Sequence, residues 1–479
     1  MRKTKLSVVL AALLTTFAAP LAALAHECPP GFPDEPAVSK HMEQLDIASG
    51  ALSFDAIGDH GKALFVARFN VCDGQGRPAT TGGGDKRAAD EPARLRTSAP
   101  DSDACAGCHA QPRAGGAGDF VANVFVLAQT LDPTTFSVAP ELSNERNTLG
   151  MNGSGPIEML AREMTVDLQS RVAGLPDGNH TLTTKGVAFD VMISGGQVVA
   201  SRGVNTDLII RPFHQAGVVI SLREFTDNAF NHHHGIQAEE RFDLNPAKGF
   251  DADHDEDGVH RELTVGDVTA VTVWQAQLGV PRRVISKDND ERHMARRGER
   301  VFDDVGCTLC HKPELLLASR LFVEPNPFNP PGTCRDPNVC PEYSYDMTEQ
   351  GEGPRLEKGP RGTAIVRAYT DLKRHDLCDA EIRHFCNEQL AQGRPAQDGK
   401  PGSEFFITRK LWDVGNSAPY GHRGDLSTIT EAILAHGGEA RASRDMFASR
   451  SYRDQVALVK FLKTLQVVPE DMRRAIAHE

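Results

Sequence analysis

Two segments, Cys105-Ala-Gly-Cys108-His109 and Cys307-Thr-Leu-Cys310-His311, have the residue types and spacing that attach c-type haem. Thiols at this spacing reach the two porphyrin vinyl groups from one turn of chain, and the His that follows lies under the iron as axial ligand. Random placement of the chain's Cys and His gives about 0.008 such matches, so two are not an accident of composition. The competing chemistry is a pair of redox or zinc-binding Cys-x-x-Cys motifs, each followed by His. The remaining cysteines fall into near pairs, Cys334 with Cys340, Cys378 with Cys386 and Cys28 with Cys72, which predicts three disulfides. No cysteine is then left as a reactive thiol.

Two further clusters carry donor atoms. His232-His233-His234 offers imidazole to an iron, and Asp251 to Gly258, DADHDEDG, concentrates the hard oxygen donors that Ca²⁺ takes. Counted from Asp253, the order Asp253, Asp255, Asp257, Gly258 follows an EF-hand loop. The twelfth position is Thr264, and Glu262 arrives two residues early. A shortened Ca²⁺ loop of Asp253, Asp255, Asp257 and Glu262 stands against a solvated acidic turn.

These groups need elements to position them. Arg2, Lys3 and Lys5, the apolar run from Leu6 to Leu24 and Ala23-Leu24-Ala25 read as a signal peptide over residues 1–25, the alternative being an uncleaved membrane anchor. Export to the periplasm suits both disulfides and covalent haem. Loss of residues 1–25 moves the net charge from −13 to −16, which excludes nucleic acid as a partner and suits a basic redox protein. The chain exceeds what one core usually holds. The expected class is mainly α, with two cytochrome-c-like haem domains in tandem and a small β-hairpin in the first. Their bounds are 26–280 for the N-terminal domain, 281–293 for a polar linker and 294–479 for the C-terminal domain.

Internal similarity supports the division. Asp267 to Leu278, DVTAVTVWQAQL, aligns without a gap to Asp454 to Leu465, DQVALVKFLKTL, with Trp274 over Phe461. Both read as amphipathic helices, the second with Val456, Val459 and Leu462 on one face. A helix carrying Met294, Val301, Phe302 and Val305 on one face should run from Met294 to Gly306. Pro212-Phe213-His214-Gln215-Ala216-Gly217 followed by a Ser-initiated helix parallels Pro419-Tyr420-Gly421-His422-Arg423-Gly424 followed by a Thr-initiated one, and each ends in His then Gly. Val187–Ile193 and Gln197–Ser201 around Gly195-Gly196 read as a hairpin. Residues 73–103 read as a mobile loop, and 325–341 as a disulfide-clipped one.

Over most of residues 100–470 the chain resembles the bacterial di-haem cytochrome c peroxidase superfamily, within it the exported di-haem oxidoreductases often labelled thiol oxidoreductases. The resemblance lies in the two haem motifs, in RKLWDVGNSAPYGHRGDLSTITEAILAHGGEA, and in IEMLAREMTVDLQ with SLREF. It implies two covalent haem c groups, with haem two as an electron-transfer centre and haem one as the reaction site. It also implies a sixth ligand to haem two fourteen residues after the His of the APYxHxG turn, usually Met; His436 stands there. Haem two would then be held by His311 and His436, a stronger donor pair to ferric iron than Met/His.

The loop position that supplies the distal His of haem one in relatives is Phe125 here. The ligand must then come from later, and helix phase from Ser221 selects His232 or His233, of which His233 is favoured. Glu224, after Ser221-Leu222, falls at the place of the family's acid-base Glu, against the reading of a surface helix residue, and His214 would join the same pocket. Trp274 is read as core packing or as an electron relay, and Trp412 as packing on haem two. Relatives also hold Ca²⁺ at the domain interface. The implied function is a peroxidase-like oxidoreductase acting on peroxide or another small oxidant, with a small cytochrome or cupredoxin as redox partner. The alternative is a non-enzymatic bis-His electron carrier. A membrane enters only if the signal stays uncleaved.

Overall fold

The structure is a computed structural model that describes residues 35–75, 102–118, 121–123, 145–243, 258–386 and 405–468. The signal peptide, Phe125, Asp253, Asp255, Asp257 and nearly all of the expected mobile loop lie outside them. Helices carry the framework, and the strands form sheets of two or three. Among the described residues no helix is long and apolar enough to cross a membrane.

In chain order the elements that position the sites are α1 (Phe54–Val66), α2 (Cys105–Cys108), α3 (Ser154–Val172), β1 (Gly178–Thr184), β2 (Val187–Ser194), β3 (Gln197–Arg202), α4 (Leu222–Ala229), α5 (Val265–Ala276), α6 (Asn289–Asp304), β4 (Leu315–Leu317), β5 (Ala364–Val366), α7 (Ile429–Leu434) and α8 (Tyr452–Lys463). Two helix pairs repeat one another. Helix α1 packs on α5, and α6 packs on α8. Each crossing is made at a glycine: a Cβ on Gly61 would stand 2.0 Å from the Ala270 carbonyl oxygen, and one on Gly298 would stand 1.8 Å from that of Ala457. Four residues on, Phe65 meets Trp274 and Phe302 meets Phe461, with ring centroids 4.4 and 5.4 Å apart. Ala270 over Ala457 and Trp274 over Phe461 are the pairs aligned in the sequence.

The closing helix α8 turns a different face inward from the one expected. Ala457, Leu458, Phe461 and Leu462 are buried, while Val456 and Val459 are only half-buried at the flank. Helix α6 starts at Asn289 rather than Met294, because Asp288 caps it by accepting from the Glu291 amide. The expected linker is shortened again by Arg282–Arg283, which pairs as a strand with Leu465–Gln466.

The expected hairpin is present as β2 and β3, with Gly195 and Gly196 both at positive φ in the turn. The Asp177 carboxylate accepts from both glycine amides at 2.8 and 3.0 Å, and β1 extends the hairpin to a three-stranded sheet. Disulfides join Cys334 to Cys340 and Cys378 to Cys386. Cys72 is also disulfide-bonded, and the partner expected for it, Cys28, lies outside the described residues.

The largest apolar cluster crosses the expected domain boundary. It joins Leu160 and Met164 of α3 and Phe189 of β2 to Leu317 of β4, Val366 of β5 and Trp412. Smaller clusters lie around Phe65 and Trp274, against Cys105, and around Phe302 and Phe461, against Cys307. The buried Arg223 guanidinium of α4 bonds Glu240, Thr269 of α5 and Glu324, binding the start of α4 into this framework. A buried cation with several carboxylate and hydroxyl partners is costly to disturb, since removing any one leaves charge uncompensated.

Candidate haem sites

Each Cys-x-x-Cys-His segment opens onto a cavity. None of the four cysteines of the two segments is joined as a disulfide. Burial pushes the Cys105 and Cys307 thiols up to about 12. His109 Nδ1 donates to the Leu149 carbonyl at 3.0 Å, and His311 Nδ1 to that of Tyr369 at 2.9 Å. A backbone acceptor on Nδ1 fixes ring orientation and tautomer, leaving Nε2 to bind a metal. Burial lowers both imidazoles to about 4, which keeps them neutral donors. Phe65 and Phe302 pack beside these rings at 6.3 and 6.2 Å. The Phe65 position was not singled out from sequence, although Gly61-Lys-Ala-Leu-Phe65 matches Gly298-Glu-Arg-Val-Phe302 in spacing.

The first cavity lies between α2, α4 and the segment Phe230–His234, a π-helical turn that continues α4. Such turns re-aim side chains by one position. His233 lines this cavity, and its charge joins burial in lowering His109. His234 also faces it, but its Nε2 lies 3.1 Å from Cys105 Sγ and its Nδ1 donates to the Ser102 carbonyl at 2.7 Å. His232 is not part of the cavity wall. His214 lines it from a left-handed backbone position, φ 61°, with its ring 5.8 Å from Phe225.

Glu224 lies at the start of α4. Its carboxylate accepts the Ile220 amide at 2.6 Å, its own amide donates to Ser221 Oγ at 3.0 Å, and it does not line the cavity. Ser221-Leu-Arg-Glu224 is thus a capping signature, and Thr428-Ile-Thr-Glu431 at the start of α7 is its counterpart. The two turns before these helices share a bridge as well, Phe213 with Val219 and Tyr420 with Leu426.

The second cavity receives His311, His436, Trp412 and Tyr420. His436 Nδ1 donates to the Ala432 carbonyl at 2.7 Å, which aims the ring, and its charge joins burial in lowering His311. His375, missed in the sequence, also lines this cavity. It is bracketed by Asp371 at 3.0 Å and Glu439 at 2.9 Å, and although burial opposes its charge these bonds push it up to about 11. Asp371 is a local partner four residues before it, and Glu439 comes from a distant segment.

Trp274 lines neither cavity and packs in the core beside Phe65. The cavities instead share a wall of residues 147–150 and 407–410 with Gln215. Asn147 ties that wall to the second turn, its amide donating to the His422 carbonyl at 3.1 Å and Nδ2 to that of Pro419 at 2.7 Å. About 1430 and 1830 Å³ of atom-free space, part of it open to solvent, fits a planar macrocycle in each. Thiols, an anchored proximal imidazole and a second imidazole facing it in each cavity make a donor set that suits haem. Glu262 stands apart from both cavities, its two oxygens accepting from the Gln237 amide and side chain at 2.8 and 2.9 Å.

The family model described as "Di-haem oxidoreductase, putative peroxidase" matches residues 333–465. No curated protein matches the chain. Among solved structures, hydrazine synthase of Kuenenia stuttgartiensis is 14% identical, over 96% of this chain and 100% of that one, at a TM-score of 0.33. A variant of the diheme peroxidase BthA from Burkholderia thailandensis is 14% identical over 90% of each chain, at 0.35. A MauG-like protein associated with microbial copper homeostasis is 13% identical over 67% of this chain and 92% of that one, at 0.27. These scores are too low to carry an argument about fold. Residues 333–465 are thus similar to the di-haem oxidoreductase family.

Proposed function

We propose that this chain is an exported, periplasmic di-haem c-type oxidoreductase of peroxidase-like chemistry. Haem one attaches through Cys105 and Cys108 with His109 as proximal ligand and His233 facing it, and haem two through Cys307 and Cys310 with His311 and His436. The observation that carries the reading is the pair of neighbouring cavities, each with two cysteines outside any disulfide and a proximal His anchored through Nδ1. Haem, when bound, supplies single-electron exchange at iron.

The chain's own residues hold and orient. The Leu149 and Tyr369 carbonyls fix the proximal rings, Ala432 fixes His436, and the shared wall keeps the two centres one layer of residues apart. That separation removes the need for Trp274 as a relay. Proton handling in the first cavity falls to His214, which lines it, rather than to Glu224, which caps α4. Two cytochrome-c-like units, each built on a glycine-crossed helix pair, give the domain plan. Asp253, Asp255 and Asp257 remain the Ca²⁺ candidates. A small basic cytochrome or cupredoxin is the expected electron donor and peroxide the expected oxidant.

His233 opposite His109 also favours a second reading, a bis-His electron carrier with no open iron. Carbon monoxide added to the reduced protein separates the two. The oxidoreductase reading expects one of two haem spectra to change, whereas no change at either haem establishes the carrier. Intact mass after denaturation must show two haems, and bare polypeptide would sink both readings.

A further inference from the structure

The wall common to the two cavities contains two adjacent cations, Arg409 and Lys410, and both residues line both cavities. Lys410 is satisfied by protein: its ammonium donates to the Asn152 carbonyl at 2.7 Å and to Ser154 Oγ at 3.1 Å. Arg409 is not. Arg409 is half-buried, and it contributes to the lining of both cavities. Among the described residues no hydrogen bond or ion pair reaches it, and burial lowers it to about 10. The acid on the same wall, Asp413, is already engaged, accepting the Val467 amide at 2.7 Å and Asn416 Nδ2 at 2.8 Å. Arg409 also stands near enough to His109 to press its imidazole toward the neutral form.

A half-buried guanidinium on the wall of both cavities, with no counter-ion among the described residues, leaves its fork of donors to match a carboxylate. We propose that Arg409 is the common counter-ion of the two haems, bonding a propionate carboxylate from each across the wall that separates them. This rests on the di-haem reading above. A fixed positive charge beside both centres favours the state with one more electron, so Arg409 raises both reduction potentials. It acts as a positioning residue, orienting the two macrocycles toward each other.

Spectroelectrochemical titration of the full chain carrying both haems tests this, with the unaltered protein compared to Arg409→Gln and Arg409→Lys. Both midpoint potentials should fall in Arg409→Gln, and both should fall less in Arg409→Lys, which keeps the charge. With two haems confirmed by mass in each protein, unchanged potentials or a shift confined to one haem would overturn the proposal. Absence of haem from the unaltered protein would overturn instead the reading beneath it. Should Arg409→Gln fail to accumulate, the resonance Raman propionate bending modes of the unaltered protein decide. Hydrogen-bonded propionates on both haems support the bridge, and solvent-like modes on either one refute it.

Discussion

At the scale of single residues, the His triplet shows how neighbours of one type take different tasks. His233 faces the first cavity, His234 is held between Cys105 and the Ser102 carbonyl, and His232 is off the wall. His233→Ala should convert haem one from six-coordinate low-spin to high-spin, read in the Soret band and by electron paramagnetic resonance. His232→Ala should leave the spectrum unchanged; a spin change there instead would move the ligand by one position. Glu224 is a cap, so Glu224→Gln should cost about 1 kcal/mol of stability with both haem spectra intact. A loss of peroxide turnover without loss of stability would return the residue to the catalytic role.

At the scale of elements, the glycine crossings set how near each closing helix comes to its haem-bearing partner. Gly61→Ala and Gly298→Ala both gain helix propensity of about 1 kcal/mol. Each also drives a methyl into a backbone carbonyl that cannot yield as a side chain can. Overpacking of this kind costs about 1–3 kcal/mol or more, so each variant should melt lower, and the shift of Phe65 or Phe302 should disturb the adjacent haem first. Thermal denaturation followed at the Soret band checks this, and an unchanged or raised melting temperature would show that the helices part freely.

At the scale of the whole molecule, the segments before and after residues 281–293 share the largest apolar cluster among the described residues. A core drawn from both sides of the 281–293 segment couples their stabilities, because neither side can bury α3, β2 and β4 without the other. Denaturant unfolding followed separately at the two haems and by far-ultraviolet dichroism should therefore give coincident transitions. Two resolved midpoints would show that the halves unfold independently.

The sequence by itself determined where the candidate haem-attachment segments lie, since Cys-x-x-Cys-His is local and its geometry is set within one turn of chain. It also determined the hairpin at Gly195-Gly196, two short disulfides and the pairing of Trp274 with Phe461, because repeated spacing within a helix survives translation into structure. Glu224 shows the limit of local reading: a Ser-x-x-Glu cap and an acid-base Glu have the same appearance in one dimension. The start of α6 moved because one capping Asp outweighs a polar run. Only the tertiary structure decided that His233 and His234 line the cavity and His232 does not, since the π turn changes helix phase by one residue. Only it brought Glu439 to His375 and residues 147–150 against 407–410. Those contacts arise where segments hundreds of positions apart bury the same surface, and burial is a property of the packed chain rather than of any stretch of it.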